Sequence, residues 1–350
     1  MRSTLVKTLK NKGMADHEYF IGVDVSKDKL DVSVLCKADS HPIYHKVYAN
    51  TKTGIGQIFK DLRKQTRSKG PEWLFCLEHT GVYGMPLTAA LSEAGIDYAL
   101  EPAAVIQRSM GLKRGKNDKA DSQDIARYAR LHEPEIKLSR FPEKILVRLK
   151  LLLSLRERLL NARTTLSNGC KESEEFLDAA LVKDIVKVSR SEMNHLTKKI
   201  DEVDALIQEL IASDEELSRT YSLVISVPGI GQQIAAHLIV TTRNFTTFDN
   251  ARQMACYAGI APFEYSSGSS IRGKTRVSHL ANKQLKSLIS MGALSARRAD
   301  KELGLYFKRK VEEGKNGMSV MNAIRNKLIG RVFATVKRGT PFVPLMQHAA

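Results

Sequence analysis

The sequence predicts an α/β domain over residues 17–142, a long helical middle over 143–216 and a mainly α C-terminal domain over 217–350. Three observations predict it. Apolar, β-branched or aromatic runs such as YFIGVDV (19–25) and WLFCLE (73–78) suit buried strands and alternate with helical stretches. Leucine and isoleucine then recur at three- and four-residue intervals through the middle. Past residue 217, glycine-marked turns separate further helical patterns.

In the first domain, 19–25 reads as a buried strand with one carboxylate, Asp24, inside it. Lys29 to Leu35 alternates apolar and polar residues, as a paired neighbouring strand does, and 43–49 adds a third. A helix over 52–68 takes Asn50 or Thr51 as its N-cap and stops at Gly70-Pro71. The strand 73–78 ends in Glu78. A turn, HTGVYG (79–84), leads to a helix over 86–94, and Asp97–Leu100 forms a further short strand. A basic, glycine-containing loop then opens a helix from about 118, where Asp118 and Asp121 share one face.

Four carboxylates stand out from this pass. An ionised carboxylate inside a buried strand is costly unless it is paired or bound to metal. Read alone, Asp24 is equally well a strand-end or turn aspartate. Asp118 and Asp121 also fit helix N-terminal acids facing the dipole, with Asp118 or Asn117 as the cap. Asp24, Glu78, Asp118 and Asp121 together form an oxygen donor set suited to Mg²⁺ or Mn²⁺. Two such ions about 3.5–4 Å apart activate a nucleophile and stabilise a leaving oxygen in phosphodiester cleavage. Asp28, Asp31 and Asp124 read as surface residues.

In the middle, Leu149, Leu152, Leu155, Leu159 and Leu166 form a stripe. Met193, Leu196, Ile200, Val203, Ile207 and Leu210 follow heptad spacing, which fits a coiled coil or ordinary bundle packing. A helical hairpin bending near Asn168-Gly169 or 187–191 suits either.

The C-terminal domain opens on SVPGIGQQIAAHLIV, a helix-hairpin-helix-like stretch. Gly229 and Gly231 permit a tight turn, and the helix N-terminus beyond it offers free N–H groups to a phosphate, unless the turn only joins two helices. A Ser/Gly-rich loop, FEYSSGSSIRGKTRVS, carries Arg272, Lys274 and Arg276 beside its serines, a pairing that suits grip of, or attack on, a phosphodiester. Helices over 279–298, 300–313 and 318–337 complete the chain.

The net charge of +17 points to nucleic acid. It is concentrated: residues 267–340 hold 17 Lys/Arg against 4 Asp/Glu, whereas 143–216 hold 12 against 15, so the C-terminal third is the candidate polyanion surface. Apolar runs fall short of the roughly 18 residues of a membrane span. The basic leader, 1–16, lacks the apolar stretch of a secretory signal, and Met14 opens a tidier start. The four scattered cysteines form no CxxC pair and read as free thiols of a cytoplasmic protein.

GVDVSKDKLDV, LEHTGVYG and KNDKADSQDIA resemble, in order and spacing, the three N-terminal blocks of the DEDD transposases of insertion sequences, a family that includes the pilin-gene DNA invertase. The resemblance implies a ribonuclease H-like, RuvC-like N-terminal fold, with Asp24, Glu78, Asp118 and Asp121 as the metal-binding tetrad. It implies a coiled-coil insertion that contributes to assembly. It also implies a nucleophilic serine just before the first glycine of an SGSSxRG loop. That position is Ser267, although Ser266 replaces the expected acidic neighbour and leaves a one-residue ambiguity. The implied activity is Mg²⁺-dependent DNA cleavage and strand exchange through a serine–DNA intermediate. The implied partners are DNA, as element ends and target, a noncoding guide RNA, and further copies of the chain in a dimer or tetramer. The alternatives are a RuvC-like structure-selective nuclease using water, which needs the tetrad but not Ser267, and a non-enzymatic nucleic-acid binder.

Overall fold

The computed structural model describes residues 16–79, 81–111, 117–267, 271–277 and 281–344, with the backbone alone at 264–267 and 271–276. Most of the leader, Thr80 of the turn, the basic loop at 112–116, Ser269, Ser270 and His279 lie outside the described residues. Two compact units divide between Phe141 and Pro142.

In the first unit, β1 (Tyr19–Val25), β2 (Lys29–Cys36) and β3 (Tyr44–Ala49) pair antiparallel in succession. β4 (Trp73–Glu78) runs parallel to β1, and β5 (Asp97–Glu101) parallel to β4. The order β3-β2-β1-β4-β5 makes β1 the central strand. Strand alternation gives β1 two buried faces. Ile21, Val23 and Val25 pack with α1 (Lys52–Thr66) and α2 (Met85–Glu93) through Ile55, Ile58, Leu62, Leu87 and Leu91. Phe20 packs with Leu74 and Cys76 under α3 (Ala103–Ser109) and α4 (Asp118–Leu131), through Ile106, Ile125, Ala126 and Ala129. Each such fully buried large side chain contributes roughly 1.5–3 kcal/mol. A mixed sheet between two helical layers fits the ribonuclease H-like fold that the resemblance implies. Thr51, not Asn50, caps α1, its side chain accepting from Gly54 N.

β2 departs from its sequence reading. Leu30 to Leu35 are all buried, Asp31 and Ser33 included, because α4 covers the face on which the polar residues fall.

The second unit begins with two long helices, α5 (Lys144–Phe176) and α6 (Ala179–Ala212), which run antiparallel. They turn at Leu177-Asp178, where Asp178 caps α6 through Ala180 N. Asn168-Gly169 and 187–191 both lie within helices, so the bend expected at one of them is corrected. Ile200, Val203, Ile207 and Leu210 are buried, and Met193 and Leu196 partly so. On α5 the buried stripe is Leu146, Leu149 and Leu153, and Leu155 turns outward.

The open end of this hairpin, the start of α5 and the end of α6, joins a helical core with α7 (Glu215–Ile225), α8 (Gln232–Thr242), α9 (Ala251–Tyr257), α10 (Lys283–Ala299), α11 (Lys301–Glu312) and α12 (Gly317–Arg338). Inserted between α9 and α10 is an antiparallel pair, β6 (Pro262–Ser267) and β7 (Ile271–Val277). The stretch read as a Ser/Gly loop is therefore mostly strand. Its aromatic and β-branched residues, with basic residues two apart, already carry a strand period. No helix among the described residues is long and apolar enough to cross a membrane.

Candidate metal centre

Asp24 shares a strand face with Gly22, the face that α4 covers. A Cβ added at Gly22 would lie 2.1 Å from the Ser122 carbonyl oxygen and 2.3 Å from the Ala126 nitrogen. Only glycine lets a helix backbone come this near. The Ser33 and Ser122 hydroxyls, 2.8 Å apart and fully buried, tie the same turn of α4 to β2. The first turn of α4 is thereby held over the C-terminal end of β1.

Asn117 is the cap of α4; its Oδ1 accepts from Lys119 N at 3.0 Å. Asp118 and Asp121 stand inside the first turn, where the helix dipole favours anions. One carboxylate oxygen each from Asp24, Asp118 and Asp121 lies within 4.8 Å of the others. Glu78, at the end of the adjacent β4, lines the same cleft of about 150 Å³, together with Asp124, Ile106, Gln107 and Met110. The structure thus gathers the four predicted carboxylates at one cleft.

Burial pushes the Asp24 carboxyl up to about 6, and the charges of Glu78, Asp118, Asp121 and Asp31 add to it. The donors are all carboxylate oxygens that repel one another. Such a set fits a hard divalent cation, which offsets the repulsion and accepts oxygen ligands. Asp24, Asp118 and Asp121 could hold it, with Glu78 at hand.

Of the acids read as surface residues, only Asp28 is exposed. Asp124 lines the cleft and pairs with Arg127 at 3.0 Å. Its spacing repeats the three-residue step from Asp118 to Asp121, which is the sequence signal for a third acid on that helix face. Asp31 lies opposite Asp24 across the β1–β2 ladder and is buried. It is 3.4 Å from Lys29 Nζ and 3.5 Å from His45 Nε2. Lys29 Nζ also donates to Asp118 Oδ2 at 2.5 Å.

In the second unit, Gly229 takes φ +93°, and a Cβ there would meet the Gly292 carbonyl oxygen and Ala296 Cβ at 2.5 Å each. Its freedom is spent on packing against α10. Gly231 caps α8 with open space around its Cα. Ser267 ends β6 opposite Ile271, Arg272 pairs with Ser266 and Arg276 with Phe263, and Lys274 lies within β7. Asn322 and Asn326 on α12 both donate to the Ile260 carbonyl, at 2.8 and 3.0 Å, and anchor the entry to this pair of strands. Arg331 is engaged by Asp300 and Glu302, each at 2.7 Å.

Two family profiles match the chain: a transposase profile of DEDD, IS110 type over residues 21–182, and one described as Transposase IS116/IS110/IS902 family over residues 221–308. The chain is 25% identical over 332 residues to the pilin gene-inverting protein of Moraxella bovis, covering 92% of this chain and 97% of that protein. It is 34% identical over 118 residues to the insertion element IS110 uncharacterized 43.6 kDa protein of Streptomyces coelicolor, covering 34% of this chain and 29% of that protein. Among solved structures, T. thermophilus RuvC in complex with Holliday junction substrate is similar over 35% of this chain and 100% of that chain, at 15% identity and a TM-score of 0.26. The two profiles fall in succession along one chain, and a relative aligns over nearly its whole length; the chain belongs to the DEDD transposases of the IS110 family, enzymes that act on DNA.

Proposed function

We propose that this transposase cuts and rejoins DNA through a covalent serine–DNA intermediate, with Mg²⁺ held by Asp24, Glu78, Asp118 and Asp121. The observation that carries the metal half is the meeting of Asp24, Asp118 and Asp121 oxygens within 4.8 Å, in a cleft that Glu78 lines. Bound Mg²⁺ supplies Lewis-acid polarisation of a phosphate oxygen. Asp24, Asp118 and Asp121 would hold the ion with Glu78 beside them, and its charge would offset the repulsion between these carboxylates and the phosphodiester. Ser267 Oγ forms a new bond to phosphorus as the bond to a deoxyribose oxygen breaks. The serine proton passes to solvent, and the departing oxygen takes one up. Attack by the hydroxyl of a second strand reverses these steps and frees Ser267, so rejoining needs no high-energy cofactor. Arg272, Lys274 and Arg276 grip the phosphate backbone, and the turn at Gly229 and Gly231 adds backbone donors.

In this reading, residues 17–142 form the catalytic domain, the helices of 143–216 mediate assembly into a dimer or tetramer, and 217–350 bind nucleic acid. The positive charge of the C-terminal third supports a polyanion partner, DNA and a noncoding guide RNA both. The reaction is cytoplasmic, at element ends and target, and either inserts or inverts DNA.

The test is denaturing electrophoresis of labelled DNA after incubation with Mg²⁺, followed by mass spectrometry of the linked peptide. Wild-type protein should give an adduct on Ser267, and Ser267→Ala should lose the adduct while keeping DNA affinity. Asp24→Asn and Glu78→Gln should lose cleavage altogether. Cleavage without adduct, undiminished in Ser267→Ala, would establish the water-using nuclease instead.

A further inference from the structure

Among the described residues, Lys29 touches the cluster of cleft carboxylates at Asp118. Lys29 opens β2, beside the end of β1 that carries Asp24. Its ammonium is 2.5 Å from Asp118 Oδ2 and 3.4 Å from Asp31 Oδ2. The two acids differ in kind. Asp118 is half-exposed and belongs to the group whose oxygens converge. Asp31 is buried, faces Lys29 and His45, and is not part of that group. Lys29 itself is 46% exposed on its side chain, so its ammonium reaches water while touching both.

Charge sets the outcome when a divalent ion enters. The ion and the ammonium compete for Asp118, and two cations at one carboxylate repel. A divalent ion would carry twice the charge, and Asp24 and Asp121 could hold it together with Asp118, which favours it over the ammonium at that oxygen. Asp31 keeps the ammonium from leaving, because a buried carboxylate without its cation is costly. An ammonium has three donors. Released from Asp118, Lys29 has donors free at the mouth of a cleft built to receive a phosphodiester.

We propose that Lys29 is the counter-ion of the metal-free cluster, displaced from Asp118 by the divalent ion and held by Asp31 where it meets a phosphate oxygen of the DNA. Lys29 is thus a phosphate-contacting residue of the loaded site, and Asp31 is its positioning residue. This rests on the metal-centre reading of Asp24, Asp118 and Asp121.

The experiment is titration of the full chain with Mn²⁺ alone, free ion being followed by electron paramagnetic resonance, for wild type, Lys29→Met, Lys29→Arg and Lys27→Met. Lys29→Met should tighten Mn²⁺ roughly two- to five-fold, the size of a part-exposed ion pair. Lys29→Arg should stay near wild type. Lys27→Met, which removes the same charge from the exposed neighbouring turn, should leave the affinity unchanged. In a second arm, with Ca²⁺ in place of Mn²⁺, Lys29→Met should weaken binding of a DNA duplex by a similar factor. Circular dichroism confirms folding of each variant. Unchanged or weaker Mn²⁺ binding in Lys29→Met, or equal tightening in Lys27→Met, overturns the exchange. Tighter Mn²⁺ with unchanged DNA affinity overturns the phosphate contact. A wild-type protein with no Mn²⁺ site overturns the metal centre itself, whereas Mn²⁺ binding without the Lys29 effect overturns this inference alone.

Discussion

Replacing Gly22 by alanine should disable the metal centre without touching any of its ligands. The new methyl group would start 2.1 Å from the Ser122 carbonyl oxygen, where ordinary contact begins at 3.4 Å. Helix α4 therefore has to recede by about 1.3 Å, the difference between those two distances. Asp121 directly precedes Ser122, so it moves nearly as far from Asp24. Metal ligands tolerate about 0.2 Å, and a misplacement of about 1 Å at a reacting centre costs on the order of 100-fold in rate. Overpacking adds roughly 1–3 kcal/mol of destabilisation, and loss of the Ser33–Ser122 hydrogen bond about 1 kcal/mol. The assays are Mn²⁺ affinity by calorimetry, Mg²⁺-dependent cleavage and thermal denaturation. Gly22→Ala should lose at least about ten-fold in Mn²⁺ affinity and about 100-fold in cleavage. The control is Gly56→Ala in α1, where a Cβ meets nothing within 4 Å. It should be neutral or gain a few tenths of a kcal/mol. Wild-type metal affinity and cleavage in Gly22→Ala would refute the argument that this close approach sets the geometry of the cluster.

Three further outcomes are expected. Metal-free protein should lose stability as pH rises from about 4 to 6: Asp24 is raised from 3.8 to about 6, so in that window the folded state still binds a proton that the unfolded chain has released. Thermal melts in chelator should show a flatter pH dependence for Asp24→Asn, with a residual slope of the same sign from Glu101, which burial also raises. Gly229→Ala should destabilise by about 2–4 kcal/mol, from a positive φ and a Cβ driven against α10, whereas Gly231→Ala, which only exchanges one N-cap residue for a poorer one, should cost no more than about 1 kcal/mol. Replacing Arg272, Lys274 and Arg276 together by glutamine should lower the log–log salt slope of duplex DNA binding by about 0.9 for each phosphate no longer neutralised, measured by fluorescence anisotropy.

Asp24 was legible because a lone carboxylate within an apolar run asks for a reason. Asp118 and Asp121 were legible as a pair on a helix face. Gly22 was not, since what makes it necessary is a helix that arrives a hundred positions later, and strand periodicity says nothing about how near that helix comes. Asp31 was misplaced for a related reason. Alternation in β2 predicts one wet face, and the sequence carries no mark that α4 will cover it. The turn between α5 and α6 has a local signal in Asp178, a capping residue, whereas Gly169, of the commoner breaker type, lies mid-helix and only costs propensity. The strands β6 and β7 were hidden by their serines and glycines, although their basic residues already stood two apart. Lys29 looked like one more surface charge until β2 set it beside the first turn of α4.

The order of the sheet also sets a timetable. β1, β2 and β3 are consecutive, pair antiparallel and hold Asp24, so they can form as soon as residue 49 is made. The helix that completes the centre ends at Leu131. At about 5–20 residues per second of synthesis, several seconds or more separate the two events. Through that interval the nascent chain has its central aspartate but not the carboxylates of α4 that meet it. The same holds for any truncated product ending before α4. Such a fragment lacks Asp118, Asp121 and the helix that closes over Gly22, and so two of the four carboxylates proposed to hold the metal.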